Sequence, residues 1–262
     1  MSEIMPTSTA EVAPSEGAAP VERKYVQGFL IRGAQPTRVE AFVDAAFAFA
    51  VTLLVVSVGS VPDSVEALVD AMRGVPAFAA SFIVIAVIWQ AHRKWSQRYG
   101  LEDGYTIRLS LALVFIVLLY VYPLRMMFTL ATGSMSGGLL WEHPVVVHGP
   151  SEMRALYIIY AVGYGVVALI IAQLNRYALR HAQSLAMSAY ECLRTRIVVA
   201  IWRVIAGITL LSLVLALVLP MDVRHGLLAA VPGLVYMLIW PALRLATRHQ
   251  RAQLAALQQE QD

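Results

Sequence analysis

Four groups of residues in this chain have side chains or backbone suited to handling an ion. The string Val162-Gly163-Tyr164-Gly165 has the composition of a carbonyl filter, in which backbone oxygens replace the water around potassium. Asp44, Trp89 and His92 offer a carboxylate, an indole N–H and an imidazole, which together can relay a proton or lock two helices. His143 and His148 are two nitrogens within reach of a metal, and Arg203 is a cation inside the apolar run "IVVAIWRVIAG". What each can do depends on the element that carries it.

Those elements are membrane helices. Of 262 residues, 59% are hydrophobic and 14% charged, against about a quarter charged in a soluble domain. The apolar residues are bunched into runs long enough to span a bilayer. A single cysteine, Cys192, excludes an internal disulfide framework or a cysteine-rich metal site. Residues 1–24 are rich in Ser, Thr, Ala, Pro and Glu without an apolar core, so they read as a disordered tail and not as a signal peptide. The expected division is a disordered cytoplasmic tail at 1–30, a six-helix transmembrane domain at 31–245 and a cytoplasmic helical tail at 246–262.

Spans are predicted near 38–58, 75–95, 108–130, 153–174, 196–219 and 224–244, each long enough for ~30 Å of hydrocarbon. With both termini cytoplasmic, 15 of the 20 Lys and Arg fall inside, and only Arg73, Arg125, Arg154 and Arg224 fall outside. That asymmetry follows the positive-inside rule. It also gives the net charge of +3 a use other than binding nucleic acid. The expected class is all-α, a polytopic six-helix bundle of the inner membrane with both ends cytoplasmic.

Placed on this frame, several of the opening candidates lose their chemistry. The VGYG string lies inside "RALYIIYAVGYGVVALIIAQL", one apolar stretch of spanning length, and a helix uses its carbonyls internally. Ala161 precedes the Val where a filter has threonine. Ala161 and Gly165 instead suit a small-residue helix contact, with Tyr157, Tyr160 and Tyr164 as a packing stripe beside it. His143 and His148 lack a third ligand at metal spacing and read as an exposed loop. Arg203 reads as structural, paired with a carboxylate or snorkelling to the inner interface. No nucleophile with its base, HExxH helix or phosphate loop supports an enzyme, and no cofactor is implied.

Asp44 keeps its interest, because an unpaired charge at mid-bilayer costs ~3 kcal/mol or more. A bond from Trp89 or His92 would satisfy it across helices. The chain "Arg38-x-x-x-Phe42-Val43-Asp44", followed by "AFAFAVTLLVV" and by Trp89-x-x-His92 at the end of the second span, resembles the transmembrane protein 175 potassium channel family. The resemblance covers the first two spans by motif and the other four by spacing and hydropathy. It implies a homotetramer whose first helices line a central pore, with potassium as the permeant ion. The filter it implies is a hydrophobic constriction of side chains, carried over here to Phe49, Leu53 and Val56. Arg38, Phe42, Asp44, Trp89 and His92 would form the motif and its inter-helix network. Val43 replaces the family serine, Arg93 stands where a second histidine is usual, and Ser57 and Gly59 stand where relatives carry charge.

At ~100° per residue, Phe49, Leu53 and Val56 fall within about 60° of one another, whereas Asp44 lies about 140° from Phe49. Ala41, Ala45, Ala48 and Thr52 make an adjacent stripe of small side chains, with Thr52 hydroxyls available as a polar ring. The carboxylate is therefore expected to build a pore without lining it. A proton-coupled secondary transporter using Asp44 and His92 is the alternative. Against it stands the lack of an inverted repeat or of paired Gly/Pro-broken helices.

Overall fold

The computed structural model describes residues 25–26, 28–33, 35–57, 62–140, 147–221 and 227–259. Six helical segments among them are long and apolar enough to cross a membrane. They comprise α1 (Arg38–Val56), α3 (Val75–Tyr99), α4 (Gly104–Met135), α5 (Pro150–Arg180), α6 (Ala189–Val218) and a sixth in two pieces, α7 (Leu227–Leu234) and α8 (Ile239–Gln259). The protein is a multi-pass, all-α membrane protein.

Several helices run past the apolar core because capping residues hold their ends. Asp103 accepts from the backbone N–H of Tyr105 (2.8 Å) and Thr106 (3.0 Å), which starts α4 four residues before the predicted span. Burial alone would raise the Asp103 carboxyl, but these N–H donors outweigh it and hold the group below the usual carboxylate range. At the start of α6, Ser188 and Glu191 form a reciprocal capping box.

The sixth span departs most from expectation. Pro232 lies inside α7, and residues Val235–Leu238 tighten into a 3-10 turn before α8. The Ser212 hydroxyl of α6 donates to the Pro232 carbonyl (2.8 Å), supplying a partner beside the break. A short amphipathic helix, α2 (Val65–Arg73), follows α1 with no buried residue, capped by Ser64. Nine residues are too few to register as a span.

The tail boundary also changes. Tyr25–Val26 and Phe29–Leu30 pair as a two-stranded hairpin, β1 and β2, turned by Gly28 at φ 76°. Phe29 is fully buried, edge-on to Tyr99 and Tyr190 and covered by the Arg98 guanidinium at 4.1 Å. The boundary expected at residue 30 therefore cuts a docked element; residues 1–24 lie outside the described ones. At the other end α8 runs from Ile239 to Gln259, across residue 245 and into the stretch expected as a helical tail.

Candidate functional site

α1 is held by one face only. Thr37 caps it, accepting from the Glu40 N–H (3.2 Å). Glu40, Val43, Phe47, Ala50 and Leu54 are buried against α3 and α4, at the alternating three- and four-residue spacing of a packed helix stripe. The other side is open: Phe49 is 55% exposed and Val56 62%, with Ala45, Ala48 and Thr52 beside them. Leu53 is half-buried on the shoulder of this stripe, packed against the core. Thr52 Oγ1–H donates to the Ala48 carbonyl one turn back (3.1 Å), so its lone pairs are what the hydroxyl presents outward.

Asp44 sits on the flank between the two faces. Trp89 of α3 donates its indole N–H to Asp44 Oδ1 at 2.7 Å, and the Arg93 guanidinium lies over the Trp89 ring at 5.3 Å. His92 is buried, with Nε2 2.9 Å from Ser110 Oγ of α4, and among the described residues no hydrogen bond joins it to Asp44. Arg38 and Phe42 are both exposed, and among the described residues neither bonds Asp44, Trp89 or His92. At ~100° per residue each lies within about 20° of Phe49, on the open face and away from Asp44. Val43 is fully buried among apolar neighbours.

Two features escape a reading by motif. Glu40 is 6% exposed, lining a small cavity with His92, Ser96 and Ser110; its register with Val43 and Phe47 was the available signal. The second is Arg32, whose guanidinium grips Glu191 through both nitrogens (2.9 and 3.0 Å) and donates to the Leu185 carbonyl (2.9 Å). Backbone bonds from Arg32 and Gly33 to the Gln97 carbonyl complete the junction. The segment entering α1 is thereby tied to the end of α3 and the α5–α6 loop. The capping pattern Ser188-x-x-Glu191 hinted at Glu191, but nothing local marked Arg32.

The remaining candidates have structural settings. The VGYG string is continuous helix in α5. A Cβ at Gly163 would drive into the Tyr120 ring, and one at Gly165 would meet Thr209 Oγ1 at 2.8 Å, so both glycines permit close helix packing. Tyr160 and Tyr164 pack with Tyr120 and Tyr236 as an aromatic cluster. His148 bonds Glu152 through Nδ1 (3.2 Å) and its backbone N–H (2.8 Å), while His143 lies outside the described residues. Arg203 is exposed on the bundle's flank, not buried in it. Two arginines serve backbone carbonyls: Arg125 donates to Gly74 (3.1 Å), and Arg154 to Ala216 (3.1 Å) and Leu219 (3.3 Å).

Comparison with known proteins agrees with this layout. The family model described as "Endosomal/lysosomal potassium channel TMEM175" matches residues 38–120, from the start of α1 into α4. A potassium channel from Marivirga tractuosa is 32% identical over 221 residues, covering 82% of this chain and 87% of its own. A crystal structure of the potassium channel MtTMEM175, a threonine-to-alanine variant bound to a nanobody fusion, superposes with a TM-score of 0.74 at 29% identity. It covers 87% of this chain and 99% of that one. The chain belongs to the TMEM175 family of potassium channels.

Proposed function

We propose that the chain forms a potassium-permeable pore as a homotetramer, with α1 of each copy around a shared axis and both termini cytoplasmic. One observation carries this reading. α1 spends a single face on its own bundle and leaves the line through Ala45, Phe49, Thr52 and Val56 uncovered, while its one flank carboxylate is held off that line by Trp89. A lone six-helix bundle encloses no channel along such a stripe, so closure requires further copies.

The pore works through a narrow apolar neck. Phe49 and Val56 are seven residues apart, about 10 Å along the axis at ~1.5 Å per residue. Rings of these side chains, with Leu53 at their shoulder, squeeze out water, and a dry neck stops ions. A small dilation or rotation of the α1 helices wets it. Selection comes from the cost of stripping water, which is smaller for potassium than for sodium. Between the rings, Thr52 oxygens, their hydrogens committed to Ala48, offer lone pairs to a partly dehydrated cation. Discrimination is weaker than in a carbonyl filter. Phe49 makes the neck tight and the basal current low.

The experiment pairs native mass measurement with single-channel recording. The expected results are a tetramer mass and, for Phe49→Ala, a larger unitary conductance with reduced potassium-to-sodium discrimination. A monomer or dimer mass, or unaltered conductance and selectivity in Phe49→Ala, contradicts the reading.

A further inference from the structure

The flank of the bundle away from α1 carries a groove between α5 and α6, with a volume of about 400 Å³. It is lined by Ala161, Gly165 and Leu169 of α5 and by Gly207 and Leu210 of α6. Arg203 stands in it, exposed, with no hydrogen bond or ion pair among the described residues. Because the two helices run antiparallel, Arg203 and Leu169 lie at the end nearer Arg176, Arg180 and Arg196, the basic side of the membrane. The groove continues from Arg203 to Leu213, about 15 Å at ~1.5 Å per residue, toward the other leaflet. Arg203 itself is about 10 Å deeper than Arg196 on the same scale, within reach of the headgroup level for a side chain that can extend along the helix.

A guanidinium at this depth favours an anion beside it, and none is placed there among the described residues. Of the chain's 17 Asp and Glu, Glu40 and Asp44 alone lie within the apolar part of a span; Glu40 is buried and Asp44 is bonded to Trp89. A helix from a second copy laid into the groove would cover Arg203 without bringing a carboxylate to it. A lipid of the basic-side leaflet brings both parts that fit: a phosphate at the Arg203 end and a saturated chain for the small-residue lining. From this geometry we propose that the α5–α6 groove is a binding site for an anionic glycerophospholipid, its phosphate on Arg203 and one acyl chain along Ala161, Gly165 and Gly207. The site is independent of the pore reading, since it lies on α5 and α6, whereas α1 packs chiefly against α3 and α4.

The test is retention of defined lipids by the purified protein, read by native mass spectrometry. Phosphatidylglycerol and phosphatidylcholine with identical chains are offered together, and the protein should keep the anionic lipid several-fold better. Arg203→Gln should erase that preference while leaving the oligomer mass unchanged. Gly207→Leu adds a side chain where a Cβ meets nothing within 4 Å, so it fills the groove without a clash; it should lower retention of both lipids. Equal retention of the two lipids by the unmodified protein, or an unchanged preference in Arg203→Gln, overturns the proposal. So does displacement of the lipid by soluble glycerol phosphate, which would make Arg203 a simple phosphate site. Dissociation of the oligomer by Gly207→Leu would overturn it too, by assigning the groove to a second copy.

Discussion

Removing the indole donor from Trp89 tests whether Asp44 is a structural tie between α1 and α3. The bond is short, 2.7 Å, and its acceptor is a side-chain carboxyl; bonds to such a group are worth ~1.5–3 kcal/mol when it carries charge. Trp89→Phe keeps an aromatic ring beneath Arg93 but leaves the half-buried carboxylate without this donor, so a loss of about 2 kcal/mol is expected. Asp44→Asn retains an acceptor oxygen and exchanges a charge-assisted bond for a neutral one, a loss of about 1 kcal/mol. In the double variant no strong bond remains to lose, so the effects should fall short of their sum by about 1 kcal/mol. Thermal unfolding in detergent, followed by far-ultraviolet circular dichroism, reads this as midpoint shifts of roughly 2–4 °C per kcal/mol. Purely additive losses would refute the tie. So would unaltered stability with changed unitary conductance in Asp44→Asn, which would place the carboxylate in the ion path.

Two further outcomes follow from the basic-side junction and from the α4 cap. Glu191→Gln leaves Arg32 facing a neutral amide in a pair whose side chains are only 12% and 4% exposed, so about 3 kcal/mol of stability should be lost; hydrogen exchange at the Arg32 and Gly33 amides, which bond the Gln97 carbonyl, should accelerate. Asp103→Ala should cost about 1 kcal/mol through the lost cap. Because the folded Asp103 carboxyl lies below its ordinary value of 3.8, its contribution is complete above that value and disappears as pH falls through the folded one. Unfolding midpoints of wild type and Asp103→Ala should therefore converge only below about pH 4.

The six spans were legible because continuous apolar runs are a chemical signal that needs no partner. The Asp44–Trp89 tie was legible for a similar reason: a carboxylate in a span demands a donor, and few were at hand. The bond from His92 to Ser110 was not legible, because Ser110 lies on a third helix and hydropathy does not choose between neighbours. Arg38 and Phe42 were drawn into the network by their place in a motif, although their helical register puts them on the open face. The docked hairpin and the Arg32–Glu191 clasp were hidden because they join distant residues: Arg32 and Glu191 are 159 apart in sequence, and Leu30 and Glu191 161. The break in the sixth span was written in Pro232, but whether a proline kinks a helix depends on partners such as the Ser212 hydroxyl.

The central claim is that the open face of α1 lines the ion path, and access of a water-borne reagent to that face tests it most directly. Cys192 is the only cysteine, so Cys192→Ser provides a silent background for single cysteines at Phe49, Thr52 and Val56, with Phe47 as the bundle-facing control. A small cationic thiol reagent added during single-channel recording should change or abolish current through Phe49→Cys, Thr52→Cys and Val56→Cys, in steps reflecting successive modification of identical subunits. Phe47→Cys should be unaffected. Current that is indifferent to modification at Phe49 and Thr52, or a block confined to Phe47→Cys, would contradict the account.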